Sequence, residues 1–190
     1  MPLVDLDALP PTIELGKGCT MTFLRNEPYL CRIHVTAIPA SEGETLYVFP
    51  HWHDEHDEHF RVVKGRLEVL IGTVTKQYVP EDGEIRIPKG VVHSMRTFHD
   101  EETIFEERTE PMDEQKELFF RNLLVDGQMP KDPLQAMIAM HNGDTRPAVP
   151  GHILWLERAI TTFFGGFVAP FFGYKIKYHG LKEPNATTTS

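Results

Sequence analysis

The stretch His51–Phe60, "HWHDEHDEHF", packs four histidines and four acidic residues into ten positions. A solvated acidic loop and a metal-binding segment both use these residue types, and the flanking text separates them. The preceding "TLYVFP" (45–50) reads as a strand that runs on into the histidines. Side chains alternate faces along a strand, so His51 and His53 point the same way. A rise of about 3.3 Å per residue puts their Cβ atoms roughly 6–7 Å apart, close enough for both imidazoles to meet one ion. A four-residue turn, Asp54 to Asp57, then delivers Glu58 at the start of the next strand, within reach of the same point. Two histidines and a carboxylate form the donor set of non-haem iron oxygenases. His56 falls in the turn and His59 alternates away from Glu58, so both are expected at the surface or behind the site.

A fourth donor is offered by "GEIRIPKGVVHSM" (83–95). Gly90 permits a tight turn, Pro88 fixes the approach, and His93 leads a new strand facing inward, with Met95 and Thr97 on the same face.

Outward from these two segments, residues 11–110 are short β-rich runs such as "LCRIHVTAI", "HFRVVKG", "RLEVLIG" and "ETIFEERT", cut by turn residues about every ten positions. That spacing is the signature of an all-β sandwich or small barrel. After Pro111 the period changes to 3.6. "MDEQKELFFRNLLVDG" begins acidic and ends at Gly127, with Leu118, Phe119, Leu123 and Leu124 as its apolar face. Asp132 and Pro133 mark the start of a second helix, on which His141 is expected to be a packed or capping residue. A third segment carries Ile153, Leu156, Ile160 and Phe163 on one stripe. Its uncharged run Ala159–Phe172 is too short to span a bilayer and is broken by Gly165, Gly166 and Pro170. It is expected to cover the barrel, to make a dimer contact, or to touch a membrane surface through its Phe-rich face. The division expected is therefore a barrel with an N-terminal arm (1–110), a helical extension packed on it (111–180) and a flexible tail (181–190).

The 190-residue chain has a formal net charge of -9, with 19 Lys and Arg scattered among 28 acids, which argues against a nucleic-acid partner. The N-terminus "MPLVDLDALPPTIELGKG" lacks the basic start and apolar run of a signal peptide, so a cytoplasmic location is expected, with Cys19 and Cys31 as free thiols.

The text from His51 to Gly65 reads H-x-H, four residues, E, six residues, G. That from Gly83 to His93 reads G, four residues, P-x-G, two residues, H. Together, and in this order, they resemble the two motifs of the cupin superfamily over residues 30–110. Thr97 stands where the second motif usually has Asn, and the first motif's leading Gly is displaced, with Gly43 nearby. The resemblance implies an all-β fold, the cupin double-stranded β-helix or jelly-roll barrel, here followed by C-terminal α-helices. It also implies that His51, His53, Glu58 and His93 bind one divalent metal ion, Fe first, with Mn, Zn or Ni as alternatives. The chain is similar, too, to short single-barrel cupins with a helical Phe-rich C-terminus, some of which lie beside natural-product pathways.

Such a donor set leaves a charge of +1 on the centre and two open positions on an octahedral ion, which suits an anionic bidentate substrate. Tyr47, Phe49, Phe60, Val62 and Met95 face inward as an apolar wall, serving equally as barrel core or substrate contacts. In "TIFEERTEP" one of Glu106 and Glu107 faces in as an acid–base group and the other pairs at the surface. The sequence leaves the register open, and Glu58 and Glu107 are taken as the catalytic candidates. The expected function is a metal-dependent Fe(II)-type dioxygenase acting on a small enolic, phenolic or carboxylate substrate, as a homodimer. A non-redox isomerase, cyclase or decarboxylase and a non-catalytic ligand-binding cupin are the alternatives.

Overall fold

Ten strands follow one another as the β-rich text requires: β1 (Thr12–Glu14), β2 (Cys19–Phe23), β3 (Cys31–Val35), β4 (Tyr47–Trp52), β5 (Asp57–Lys64), β6 (Leu67–Ile71), β7 (Val74–Tyr78), β8 (Glu84–Ile87), β9 (His93–Arg96) and β10 (Thr103–Glu110). The computed structural model describes residues 3–16, 18–42 and 45–181. Gly43 and residues 182–190 of the expected tail lie outside the described residues.

The strands form two antiparallel sheets, ordered β1-β2-β3-β10-β5-β8 and β4-β9-β6-β7. Alternation assigns the inner faces. On β3, Cys31, Ile33 and Val35 are buried while Arg32 and His34 turn out, as period two requires. These residues pack with Phe60, Val62, Leu67, Val69, Ile87 and Phe105 in one core between the sheets. Gly65 closes the β5–β6 turn at φ +72, and a Cβ there would lie 2.2 Å from the Glu102 carbonyl oxygen. Only glycine fits that position.

On β10 the choice between the two glutamates is made by cross-strand partners. Glu106 lies directly opposite Arg32 on one side and Arg61 on the other. It binds them at 2.5 Å and 2.7 Å, so Glu107 takes the inner face with Phe105.

Three helices follow the barrel. α1 (Gln115–Leu123) buries Leu118, Phe119 and Leu123 and sets Phe120 against Phe23 at 6.4 Å between ring centroids. α2 (Pro133–Asn142) is capped by Asp132, whose side chain accepts from the Leu134 N–H. Between α2 and α3, a two-residue strand β11 (Arg146–Pro147), which the sequence did not announce, pairs with β4.

α3 (Leu154–Thr161) continues through a π-helical segment, Thr162–Val168, into a last turn, Ala169–Phe171. Here the expected apolar stripe does not cover the barrel. Ile153, Trp155, Phe163, Phe167, Phe171 and Phe172 are exposed. The buried residues are instead Glu157, Thr161, Gly165 and Ala169. Gly165 sets this orientation, since a Cβ there would sit 2.3 Å from the Met137 carbonyl oxygen on α2. Close backbone packing and a buried carboxylate thus select the inward face. No helix among the described residues is long and apolar enough to cross a membrane. Cys19 and Cys31 are free and buried.

Candidate metal centre

β4 and β9 are paired, with His51 directly opposite His93, and the β4–β5 turn returns Glu58 beside His53. The Gly90 N–H, at φ +78, donates to the His53 carbonyl at 2.8 Å and ties the second motif loop to the first. As a result His51, His53, Glu58 and His93, all buried, present one donor atom each within 4.8 Å of one another. Nε2 of His53 and of His93 lie 3.5 Å and 2.6 Å from Glu58 Oε2. The His51 and His93 ring centroids are 4.2 Å apart.

The backbone settles the histidine tautomers. Nδ1 of His51 donates to Phe49 O (2.8 Å), Nδ1 of His53 to Asp144 O (2.7 Å) and Nδ1 of His93 to Val91 O (3.0 Å). A carbonyl oxygen can only accept, so each Nδ1 carries a proton and Nε2 is the atom each ring turns to the centre. Glu58 Oε2 and His93 Nε2 are buried without a well-formed hydrogen bond. Acceptors converging in a dry site need a cation, and a divalent ion with nitrogen and oxygen ligands fits this donor set. Burial, joined by His93 and His53, pushes His51 well below its ordinary pKa. Burial likewise lowers His53, to about 4. Burial opposes ionisation of Glu58, but His93 and His53 outweigh it and hold the carboxyl well below its usual range.

The centre opens onto a cavity of about 180 Å³. Met21, Ile33, Val48, Phe49, Met95 and Phe105 line it from the barrel, and Phe119, Phe120, Leu123 and Leu124 close it from α1. Tyr47, Phe49 and Met95 are on this wall, as is Glu107. Burial and the neighbouring Glu58 push the Glu107 carboxyl well above its ordinary value. Phe60 is a correction. It is fully buried and faces Tyr78 in the barrel core, off the cavity wall, because it lies two residues deeper along β5 than Glu58.

His56 and His59 are both buried. His59 turns outward to Glu84 and Glu110. His56 stands behind the centre, with its ring 4.3 Å from that of His53 and its Nδ1 3.0 Å from Asp144.

Asp144 was not visible in the motifs. Its carboxylate accepts from the Asp54 and Glu55 N–H groups at 3.0 Å and 2.8 Å, while its carbonyl holds His53. One residue of the helical extension therefore positions the whole β4–β5 turn. Loss of a group that orients a metal ligand costs about 10- to 100-fold in metal affinity, and substitution at 144 removes the carboxylate that fixes the turn after His53 while leaving the carbonyl on His53 in place. Asp144→Ala is expected to weaken binding by that factor in a chelator-competition titration, with Asp144→Asn closer to wild type because Asn tolerates the φ of +52. Equal affinities for wild type and the Ala variant would refute this role.

Two motif loops thus converge inside a double-sheet antiparallel barrel, with the histidines and the glutamate where the motifs place them. The double-sheet barrel and the converging motif loops agree with the cupin resemblance read from the sequence. Solved structures similar to the chain include KdgF from Halomonas sp., at 17% identity over 55% of this chain and 88% of that one with a TM-score of 0.39. A sugar phosphate isomerase of the cupin superfamily from Silicibacter pomeroyi gives 18%, 56%, 73% and 0.41 in the same order. An RmlC-like cupin from Shewanella frigidimarina gives 16%, 56%, 87% and 0.38. In sequence, the chain is 42% identical over 45 residues to "Probable oxidoreductase patJ" of Penicillium expansum, a match covering 24% of this chain and 14% of that protein. The chain thus spans about a seventh of that relative's length. No known family profile matches the chain.

Proposed function

We propose that this cupin is a metal-dependent oxidoreductase of the Fe(II) dioxygenase type acting on a small, largely apolar molecule. The observation that carries the proposal is the set of three histidine Nε2 atoms and one carboxylate, held from behind and opening onto an apolar cavity. His51, His53, Glu58 and His93 would hold the ion, which supplies redox capacity if it is iron and Lewis acidity if it is Mn, Zn or Ni. The walls contributed by Phe49, Met95, Phe105 and Phe119 exclude water and orient the substrate. Glu107, whose carboxyl burial and Glu58 push upward, would take or give a proton beside the substrate.

That last group also favours the second reading, isomerase or lyase chemistry without electron transfer, since a protonated carboxyl in a dry pocket is suited to moving a proton. Under either reading Glu107→Gln is expected to lower kcat/KM about 100-fold or more with metal content unchanged. Unaltered turnover would remove Glu107 from the chemistry.

The deciding experiment is metal analysis of protein purified without chelator or nickel resin, followed by oxygen uptake on adding Fe(II) and a panel of phenolic and enolic compounds. Iron with substrate-dependent oxygen consumption supports the dioxygenase. Zn, Mn or Ni without uptake moves the function to the non-redox reading, and no metal leaves a ligand-binding protein.

For the expected homodimer, the available surface is the outward face of α3 and its continuation, with Trp155, Phe163, Phe167, Phe171 and Phe172. At about 150–250 Å² per free aromatic side chain, it approaches the roughly 800 Å² that each partner contributes to a standard interface. Light scattering after gel filtration tests it.

A further inference from the structure

The cavity wall carries a single Lys or Arg among the described residues, Lys116, on the first turn of α1. The residue is only 5% exposed. Its ammonium has three donors. One donates to the Gly143 carbonyl at 2.5 Å, and the methylene stem runs to a nitrogen 4.9 Å from the Phe119 ring centroid. A buried ammonium with unfilled donors is costly unless something negative meets it. Burial lowers its pKa from the ordinary lysine value, and Asp144, Glu107, Glu58 and Asp113 partly offset this by favouring the charged form.

The rest of the wall shows what kind of molecule brings that charge. A dry apolar cavity of about 150 Å³ takes a benzene ring, so the space here accommodates one ring or a short branched chain with a small polar head. His51, His53, Glu58 and Lys116 border the same space, so a head with two oxygens could reach both the donors and the ammonium.

We propose that the substrate is a single-ring or short branched carboxylic acid with an oxygen next to the acid group, and that Lys116 receives its carboxylate while Met21, Met95 and Phe105 hold its apolar body. This deepens the function proposed above and rests on it for the metal-facing oxygen. Lys116 has a rival role, tethering α1 to Gly143, and a neutral analogue separates the two. Salicylate and salicylamide share the ring and the phenol oxygen and differ in the acid.

The experiment is calorimetric titration of both compounds into wild type, Lys116→Met and Lys116→Arg, each with and without manganese. Salicylate is expected to bind wild type more tightly than salicylamide. Lys116→Met should weaken salicylate about 10- to 100-fold, as loss of a hydrogen bond to a charged group does, and leave salicylamide within a factor of three. Lys116→Arg should restore part of the difference. Equal binding of salicylate by wild type and Lys116→Met, no preference for the acid, parallel loss of both compounds, or no binding of either would overturn the proposal. If the protein takes up no manganese while the Lys116-dependent preference for the acid persists, the metal assignment falls and the acid site stands.

Discussion

Glu58→Gln is expected to abolish metal binding, taking the bound ion from about one per chain to a small fraction, while the protein stays folded. His51, His53 and His93 are neutral donors, so Glu58 is the sole anionic ligand in the four-residue set. Without it a divalent ion would keep its full charge in a site whose residues are 1–7% exposed, where desolvation is heavily penalised. The effect should also be readable as stability. A ligand at 1,000 times its Kd stabilises the folded state by about 4 kcal/mol. At 2–4 °C per kcal/mol for a chain of this size, the wild-type melting temperature should rise by roughly 10 °C. Glu58→Gln should show no rise, and His59→Ala, whose ring faces Glu84 and Glu110 outside the barrel, should respond as wild type does. A metal-induced rise of the same size in Glu58→Gln would dismiss this donor set.

The four donors were legible because two local rules fix where they point. Strand alternation aims His51 and His53 together, and the turn through Gly90 brings His93 opposite His51. The orientation of Glu107 was not legible, since alternation separates it from Glu106 without saying which goes in. The decision belongs to Arg32 and Arg61, which are 74 and 45 residues from Glu106 in the chain and become its neighbours only through strand register. Asp144 and Lys116 were missed for the same reason. They lie on the helical extension, and nothing in "NGDTRP" or "DEQKEL" signals that those segments reach the centre. Phe60 was placed on the right face of β5 but at the wrong depth, because period two gives a side and no distance along the barrel. For the third helical segment the sequence left three roles open, and the structure leaves most of its apolar side exposed. Its apolar residues do recur at helical spacing, yet a stripe does not identify the buried face when a glycine contact and a buried acid compete for it.

That buried acid yields the second large effect. Glu157→Ala is expected to destabilise the protein by roughly 3–5 kcal/mol, the range for removing one partner of a buried charged network. Glu157 is 1% exposed. Its carboxylate accepts from Trp52 Nε1 at 2.6 Å, from the Val149 N–H at 2.8 Å and from His152 Nδ1 at 3.0 Å. Alanine would leave the indole and the amide buried and unpaired, each at about 1–3 kcal/mol. The melting temperature should fall by about 10 °C or more, taking 2–4 °C per kcal/mol. Tryptophan emission should locate the damage, since Trp52 is 1% exposed and Trp155 is already 69% exposed. A red shift would therefore report Trp52 losing its cover. The inner face of β4 need not follow, because Trp52 points away from the cavity that His51 and His53 line. Metal stoichiometry measured well below the melting temperature should remain at about one per chain. Loss of stability with the ion retained is the reverse of the Glu58→Gln outcome, and it would assign Glu157 to anchoring the helical extension. A melting temperature within about 2 °C of wild type would show instead that the extension is held by its other contacts, among them Phe120 against Phe23.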